Sequence, residues 1–436
     1  MPKAILTLRS IDISERKLSF VYIVSGHEIT RAITFPDTVN LSSFVSDKIF
    51  GTLVKYCALG DCIYMYNFDY FDQIDVPFDL SDEEKAFFEE TYDKGLAEFR
   101  YTNGIEMTRM VKLHTSMRKQ ADRPSLPIEP ATRKRAFVLN GGGKDGVVAM
   151  ELAKHLGLDV AWFSSGANVS RQGVVKASGV TDSFVVERCP DPNATLERKY
   201  EGHKPMSLYV AMVSSLCAYL NNRYYVIAAN EYSASFPNLH IDGMAINHQY
   251  TKSLEFECGL RKLFKEAGVP VRYFSIVRPL YELQIVKLFS EFDQYHDAFV
   301  SCNRGIRDNK WCLDCAKCAF VVGAMYCFTP EKAAKKWGAI NDVYQNNPGL
   351  LDETIELINP DQKPFECIGT TQENLYLITM LFPLLTLSVE QKVRYESYKK
   401  AVQLTEAKKV LSLQTGVDLF PAELKKTIYR TIGEAL

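Results

Sequence analysis

The sequence predicts an α/β protein with a doubly wound, mostly parallel sheet, a small N-terminal α+β domain and a helical C-terminal region. Two observations predict the sheet: from Lys134 onward short apolar runs alternate with amphipathic helices, and a glycine-rich loop follows the first run. Before that point, apolar and polar residues alternate as in an antiparallel sheet. Beyond Pro330 the pattern is mostly helical.

The N-terminal segment predicts a small antiparallel sheet followed by a helix. Three runs alternate in polarity and predict its strands: residues 4–8, 18–24 and 29–35. Ser25-Gly26-His27 supplies a turn between the second and third runs. Residues 62–66 alternate in the same way and predict a further strand. Ser81 and Glu84 have the spacing of a capping box, which predicts a helix to about Phe99.

The α/β segment predicts five strands, at residues 136–139, 159–163, 183–187, 224–228 and 271–276. Its predicted helices are 146–156 and 207–221, and the C-terminal helices include 388–402 and 421–436. Three prolines between Ala121 and Pro130 interrupt regular structure and predict a domain boundary. The predicted domains are therefore 1–130, 131–330 and 331–436.

The net charge and the length of the apolar runs limit the classes of partner that we expect for this chain. The 51 basic and 53 acidic residues give a net charge of −2, so we expect no nucleic-acid partner. The longest apolar run near the C-terminus, Leu375 to Leu387, is shorter than the roughly 20 residues that a spanning helix needs. The start of the chain has no signal-peptide pattern. We therefore expect a cytoplasmic protein without a membrane partner.

A glycine-rich loop, residues 141–146, follows the first predicted parallel strand and precedes a helix. Its glycines let backbone N–H groups approach an anion, and the helix N-terminus adds positive charge, so the loop predicts a phosphate site. A Walker A loop is excluded because Asp145 follows Lys144 where that motif needs Ser or Thr. The alternative is a glycine turn without a ligand. The predicted nucleotide-binding residues are Gly141, Gly142, Gly143, Lys144, Asp145 and Gly146.

Four of the 11 cysteines lie close together in the sequence: Cys302, Cys312, Cys315 and Cys318. Four thiolates in one loop can surround Zn²⁺ tetrahedrally and leave no open position, so the spacing predicts a structural zinc site. Two alternatives stay open. The cysteines could be reduced core residues, or two of them could form a metal-free redox pair.

Polar side chains follow the predicted strand 224–228, where open α/β sheets bind their ligands. The candidate residues there are Asn230, Glu231, Asn247, His248, Gln249 and Lys252. Arg278 leaves the next strand and could bind a carboxylate or phosphate with both of its terminal nitrogens. An ion pair with Glu282 is the alternative for this arginine.

Together these motifs resemble the UDP-N-acetyl-α-D-muramoyl-L-alanyl-L-glutamate epimerase family. Five segments carry the resemblance in order: the glycine loop, residues 230–234, 247–253 and 274–280, and the cysteine loop with Trp311. It is strong from Phe137 to Phe328. The glycine loop is itself similar to the PP-loop, S-G-G-x-D-S, of the ATP pyrophosphatases, with Gly141 and Gly146 in place of the two serines.

The resemblance implies a fold of PP-loop type and a cytoplasmic enzyme of peptidoglycan precursor synthesis. Such an enzyme uses ATP and Mg²⁺ to adenylate and invert the terminal L-glutamate of UDP-MurNAc-L-Ala-L-Glu, a nucleotide-sugar dipeptide, and releases AMP and pyrophosphate. Adenylation removes the carboxylate charge, so a base can take the α-proton. Two other functions stay open: a PP-loop ligase that amidates another carboxylate, and a nucleotide-binding scaffold without turnover.

The resemblance also implies roles for single residues. Lys144 would bind phosphates, and Asp145 would position Mg²⁺ or orient the loop. The acid and the base would be found among Glu231, His248, Lys252 and His240. The implied catalytic residues are therefore Lys144, Asp145, Glu231, His248 and Lys252, and the implied substrate-binding residues are Asn230, Asn247, Gln249 and Arg278.

Overall fold

The structure, a computed structural model, describes residues 4–115, 134–192, 196–241, 243–360, 364–402 and 412–436. These residues form one ten-stranded sheet and a two-stranded ribbon. None of the helices in the described ranges combines the length and the apolar character needed to cross a membrane. The proline-rich stretch 121–130, where a domain boundary is predicted, lies outside the described residues.

Neighbouring strands of the large sheet follow the order β12-β9-β6-β7-β8-β3-β2-β1-β4-β5, and β10 pairs with β11 in the ribbon. In chain order, the strands are β1 (Ile5–Ser14), β2 (Lys17–Val24), β3 (His27–Thr34), β4 (Gln73–Val76), β5 (Lys112–Thr115), β6 (Arg135–Leu139), β7 (Asp159–Ser165), β8 (Ser183–Cys189), β9 (Tyr225–Ala228), β10 (Leu239–Ile241), β11 (Met244–Ile246) and β12 (Arg272–Ser275).

The five strands predicted for the α/β segment are confirmed as β6, β7, β8, β9 and β12, and neighbours among them pair in parallel. The N-terminal strands extend the same sheet, because β3 pairs antiparallel with β8. An α/β protein with a mostly parallel sheet and a helical C-terminal region is therefore confirmed. The division into three domains stays a prediction.

The predicted N-terminal hairpins are present. In β2, Leu18, Phe20 and Tyr22 are buried while the intervening residues are more exposed, as expected for a strand with one face on a core. Ser25 and Gly26 connect β2 to β3 with φ values of 51° and 82°. Two successive positive φ angles give a turn whose twist matches that of the flanking strands.

The strand predicted at residues 62–66 is wrong. The segment is a 3₁₀ helix, Cys62–Asn67, that continues directly from helix α1 (Lys48–Asp61). Buried positions fall in adjacent pairs on either side of the half-buried Tyr64, which is a helical spacing and not the two-residue period of a strand. The run of aromatic and apolar residues concealed this difference in the sequence.

The remaining helices cover both faces of the sheet and make up most of the chain beyond residue 315. They are α2 (Asp82–Gly95), α3 (Ala97–Thr102), α4 (Lys144–Lys154), α5 (Val169–Ser178), α6 (Met206–Leu220), α7 (Leu254–Glu266), α8 (Glu282–Ser290), α9 (Ala316–Phe328), α10 (Pro330–Trp337), α11 (Ile340–Asn346), α12 (Pro348–Glu356), α13 (Thr371–Leu381), α14 (Val389–Ala401) and α15 (Ala422–Ala435). The capping box of Ser81 and Glu84 is confirmed at the start of α2.

Strand β6 contributes side chains to both cores. Phe137 packs with Phe163 and Phe184 on the face that α6 covers, whereas Val138 belongs to the opposite core with residues of α4, α8 and α9. A strand that is buried on both faces has a continuous run of apolar residues in its sequence. This burial fixes the carboxyl end of β6, from which the glycine loop leaves.

One buried ion pair connects the N-terminal sheet to α1. Arg31 on β3 donates two hydrogen bonds to Asp61, at 2.7 and 3.1 Å, and Tyr22 donates to the same carboxylate at 3.1 Å. Arg31 is 8% exposed and Asp61 is 2% exposed. Loss of one partner leaves a buried charge without compensation.

We therefore expect Asp61→Asn to lower the free energy of unfolding by about 3 kcal/mol, measured by urea titration with circular dichroism. Glu28→Gln is the matched control, because the Arg9–Glu28 pair is exposed, and it should cost less than about 1 kcal/mol. Equal effects of the two substitutions would contradict a structural role for the buried pair.

Candidate functional site

The candidate site lies where the strand order of the parallel sheet reverses. From β6 the chain continues to β7 and β8 on one side, and β9 and β12 lie on the other side. The connections that leave the carboxyl ends of β6 and β9 therefore run to opposite sides of this point. Open α/β sheets bind their ligands at such a point.

Three features shape the glycine loop at the end of β6. The Gly142 N–H donates to Asn140 Oδ1 at 2.9 Å, which turns the chain back on itself. The Ser170 hydroxyl donates to the Gly142 carbonyl at 2.6 Å. Gly142 has a φ of 82°, and a Cβ there would lie 2.7 Å from Ser170 Oγ. Glycine is therefore required at this position, because the φ angle is positive and because a side chain would clash with Ser170.

Gly146 replaces the second serine of the generic PP-loop, and the structure gives a reason. A Cβ at this position would lie 3.0 Å from the carbonyl oxygen of Leu139. Since that oxygen belongs to the end of β6, a serine side chain would fit only if the strand or α4 shifted slightly. The glycine lets the helix pack closely against the strand.

Buried charges surround the start of α4. Lys144 is fully buried, contacts Asp145 and donates to Glu282 Oε1 at 2.8 Å. Lys317 donates to the same oxygen at 2.7 Å. Burial alone would raise the pKa of Glu282, but the two ammonium groups outweigh it and lower that pKa to about 2. The other oxygen, Glu282 Oε2, is buried and has no hydrogen-bond partner among the residues that the structure describes.

The loop after β9 presents Glu231 to the same cluster. Burial, followed by the negative charge of Glu282, raises the pKa of Glu231, and the nearby Lys252 opposes this rise. The backbone carbonyl of Glu231 accepts a hydrogen bond from Arg278 at 2.9 Å. Arg278 also pairs with Glu257 at 2.8 Å, so the alternative prediction of a pair with Glu282 is wrong. The fully buried Arg278 therefore attaches the backbone of this loop to Glu257 on α7.

The predicted polar residues of the next loop divide into two groups. Lys252 lies beside the charge cluster and donates to Gln249 Oε1 at 3.2 Å, and the buried His248 lies against Asn238. Asn247 shapes the loop, because it donates to the Ala234 carbonyl at 2.9 Å and accepts from the Gln249 N–H at 2.8 Å.

Two further predicted residues have different positions: Asn230 bonds to the large sheet, and His240 lies on the two-stranded ribbon. The Asn230 N–H donates to Ser275 Oγ at 2.8 Å, and its amide group donates to Tyr273 at 3.4 Å. Both contacts attach the loop after β9 to strand β12. His240, in contrast, is exposed on β10. Whether any of these side chains binds substrate stays a prediction.

Four residues of the site were absent from the predicted site. Glu282 and Lys317 belong to the charge cluster, and Cys367 accepts a hydrogen bond from Lys252 at 3.4 Å. Glu373, on α13, accepts from Ser233 Oγ at 2.6 Å and from the Leu283 N–H at 2.9 Å. All four lie more than 130 residues beyond the glycine loop in the sequence, and local patterns do not show this proximity. Only Lys317 carried a signal, since it lies between two candidate zinc ligands.

The four predicted metal ligands come together. The Sγ atoms of Cys302, Cys312, Cys315 and Cys318 all lie within 4.8 Å of one another, and Cys312 and Cys318 are 3.7 Å apart. Zn–S bonds of about 2.3 Å in a tetrahedron place the sulfurs about 3.8 Å apart, so the donor set fits the ion. Backbone N–H groups of Gly305 and Cys318 donate to Cys302 and Cys315, as expected around thiolates. The cluster can therefore hold a metal.

Two family models match the chain in the order of the sequence. The MurL N-terminal domain matches residues 4–276, and the MurL C-terminal domain matches residues 298–408. Both the glycine loop and the loop after β9 fall within the first match, and the cysteine cluster falls within the second.

Three curated relatives carry the name UDP-N-acetyl-alpha-D-muramoyl-L-alanyl-L-glutamate epimerase. The protein from Micromonospora sp. is 32% identical over 398 residues, which are 85% of this chain and 85% of the relative. The protein from Salinispora tropica is 31% identical over 392 residues, 85% of this chain and 83% of the relative. The protein from Xanthomonas oryzae pv. oryzae is 29% identical over 318 residues, 70% of this chain and 68% of the relative. The chain therefore belongs to the MurL family.

Proposed function

We propose that this chain is an epimerase that inverts the terminal L-glutamate of UDP-MurNAc-L-Ala-L-Glu in peptidoglycan precursor synthesis. The observation that carries this proposal is the match to both MurL domains, together with relatives of more than 30% identity that bear the epimerase name over 85% of the chain. We further propose that the reaction uses ATP and Mg²⁺, proceeds through an acyl-adenylate and releases AMP and pyrophosphate.

The N-terminal ends of three helices lie close together, and their positive charge supports a polyphosphate ligand. Helices α4, α8 and α9 begin at Lys144, Glu282 and Ala316, and the ion pairs of Glu282 bring their N-terminal ends together. Each helix N-terminus carries about half a positive charge. Gly143 caps α4 without a side-chain hydrogen bond. The Lys144 N–H donates to Ser301 Oγ at 3.4 Å, and the other N–H groups of the first turn would bind phosphate oxygens.

Asp145 is the residue that would hold Mg²⁺. Its side chain is 29% exposed beside the buried Lys144, so a carboxylate oxygen is available at the edge of the phosphate site. Carboxylates and phosphate oxygens are the ligands that Mg²⁺ prefers. The ion would neutralise phosphate charge during adenylation.

Proton transfer at the glutamate α-carbon would follow adenylation, because the charge of the carboxylate has then been removed. Inversion needs one group on each face of that carbon. Glu231 is suited to hold a proton, since burial raises its pKa. His248 and Lys252 supply further titratable groups, and the positive charge of Lys252, which lies near Glu231, would stabilise the enolate.

The proposed function is tested by incubating the purified chain with ATP, Mg²⁺ and UDP-MurNAc-L-Ala-L-Glu in D₂O. We expect D-glutamate with deuterium at the α-carbon, formed together with AMP. AMP without inversion, in a product of changed mass, would identify a ligase. Neither AMP nor inversion, in a folded protein, would exclude the epimerase for this substrate.

Lys144 is expected to be required for adenylation, because its ammonium group lies at the proposed phosphate site. Lys144→Gln should lower the rate of AMP release by about 100-fold. Lys154→Gln is the control, since Lys154 lies on the same helix and pairs with Glu151. It should leave the rate within about twofold. AMP release at the parent rate in Lys144→Gln would contradict the proposed site.

We also propose that the cysteine cluster holds one structural Zn²⁺. Cys315→Ser should reduce the zinc content to less than about 0.2 per chain and lower the thermal midpoint, because structural zinc contributes to folding. Cys327→Ser, a half-buried cysteine on the same helix outside the cluster, should keep its zinc. Elemental analysis measures both. Equal zinc in the two variants would exclude this cluster as the site.

A further inference from the structure

A cysteine outside the zinc cluster lies against two of the candidate catalytic residues. Cys367 is half-buried, and its Sγ accepts a hydrogen bond from the Lys252 ammonium at 3.4 Å. The Nε2 atom of His248 lies 4.0 Å from the same sulfur. Residue 367 is 115 positions away from Lys252 and 119 away from His248, so only the folded chain brings the three together.

Asn238 determines which nitrogen of His248 can accept a proton from this thiol. Asn238 Nδ2 donates to the Pro364 carbonyl at 2.8 Å. Its Oδ1 accepts from the His248 backbone N–H at 3.2 Å and lies 2.8 Å from His248 Nδ1. Because this oxygen can only accept, Nδ1 carries the ring proton of the neutral imidazole, and Nε2 presents its lone pair toward Cys367.

The same residues border the charge cluster of the proposed active site. Lys317 donates both to the backbone carbonyl of Cys367 and to Glu282 Oε1. Glu282 Oε2 is buried and accepts no hydrogen bond from the described residues, so it is available to a donor of a bound molecule. Cys367 therefore lies next to the region where the substrate would bind, and a mobile proton on its sulfur would be close to that substrate.

We propose that the Cys367 thiol, paired with His248, is one of the two proton-transfer groups of the epimerisation, and that Asn238 is a positioning residue for this pair. The inference rests on the proposed function. When the thiol acts as the base, Nε2 of His248 takes its proton. The thiolate then takes the α-proton, and the electron pair of the broken C–H bond moves onto the acyl oxygen. A group on the opposite face returns a proton to the same carbon, so no oxidant or reductant is consumed.

Cys367→Ala tests this role in the full chain with ATP, Mg²⁺ and UDP-MurNAc-L-Ala-L-Glu in D₂O. We expect the variant to release pyrophosphate within about threefold of the parent rate. Formation of D-glutamate should fall by at least about 100-fold, the contribution of a positioned acid or base. Cys258→Ala, an exposed cysteine on α7, is the control and should retain both rates. Zinc content confirms that the cysteine cluster is intact in every variant.

Three outcomes overturn the inference. Inversion at the parent rate in Cys367→Ala excludes the thiol as a proton-transfer group. A Cys367→Ala variant that loses both pyrophosphate release and inversion, but keeps the parent zinc content and thermal midpoint, assigns Cys367 to adenylation or binding instead. A parent protein that forms neither AMP nor D-glutamate overturns the proposed function itself, and the inference with it.

The pairing with His248 has a separate test that needs no substrate. Iodoacetamide labelling of Cys367, followed by peptide mass spectrometry at pH 7, reports how readily the thiol loses its proton. We expect His248→Gln to slow this labelling by about tenfold, and Asn238→Ala to slow it in the same direction. Labelling at the parent rate in both variants would contradict the pairing.

Discussion

The carboxylate of Glu282 binds two buried ammonium groups, and the geometry of the whole site depends on this shared ion pair. Lys144 begins α4 after the glycine loop, and Lys317 lies in the first turn of α9. Removing charges from water costs several kcal/mol for each ion, which only close pairing offsets. Without Glu282, two buried cations would repel each other where three helices meet. The pair therefore fixes the distance between the glycine loop and the cysteine cluster.

This connection links the cysteine cluster to the charge cluster. Lys317 lies between Cys315 and Cys318, so the position of the cluster sets the position of its ammonium group. Lys317 also binds the backbone of Cys367. A metal that closes the cluster would act at a distance, by holding this lysine between the phosphate site and the thiol.

The sequence predicted those parts of the site that are local along the chain. The glycine loop and the cysteine cluster are short segments whose spacing reflects the backbone or ligand geometry they require. Glu282, Cys367 and Glu373 escaped prediction because their partners lie far away in the sequence. The segment 62–66 was misread because its aromatic residues suit a strand, although it continues a helix. The joining of β3 to β8 is likewise a tertiary pairing without a local pattern.

The proposed binding of ATP at the reversal point of the sheet is tested most directly by a crystal structure with α,β-methylene-ATP and Mg²⁺, because that analogue resists cleavage between the α and β phosphates. We expect phosphates on the N–H groups of residues 141–143, with the Lys144 ammonium turned from Glu282 toward a phosphate oxygen. A nucleotide bound elsewhere, with the Lys144–Glu282 pair unchanged and the glycine loop empty, would contradict it.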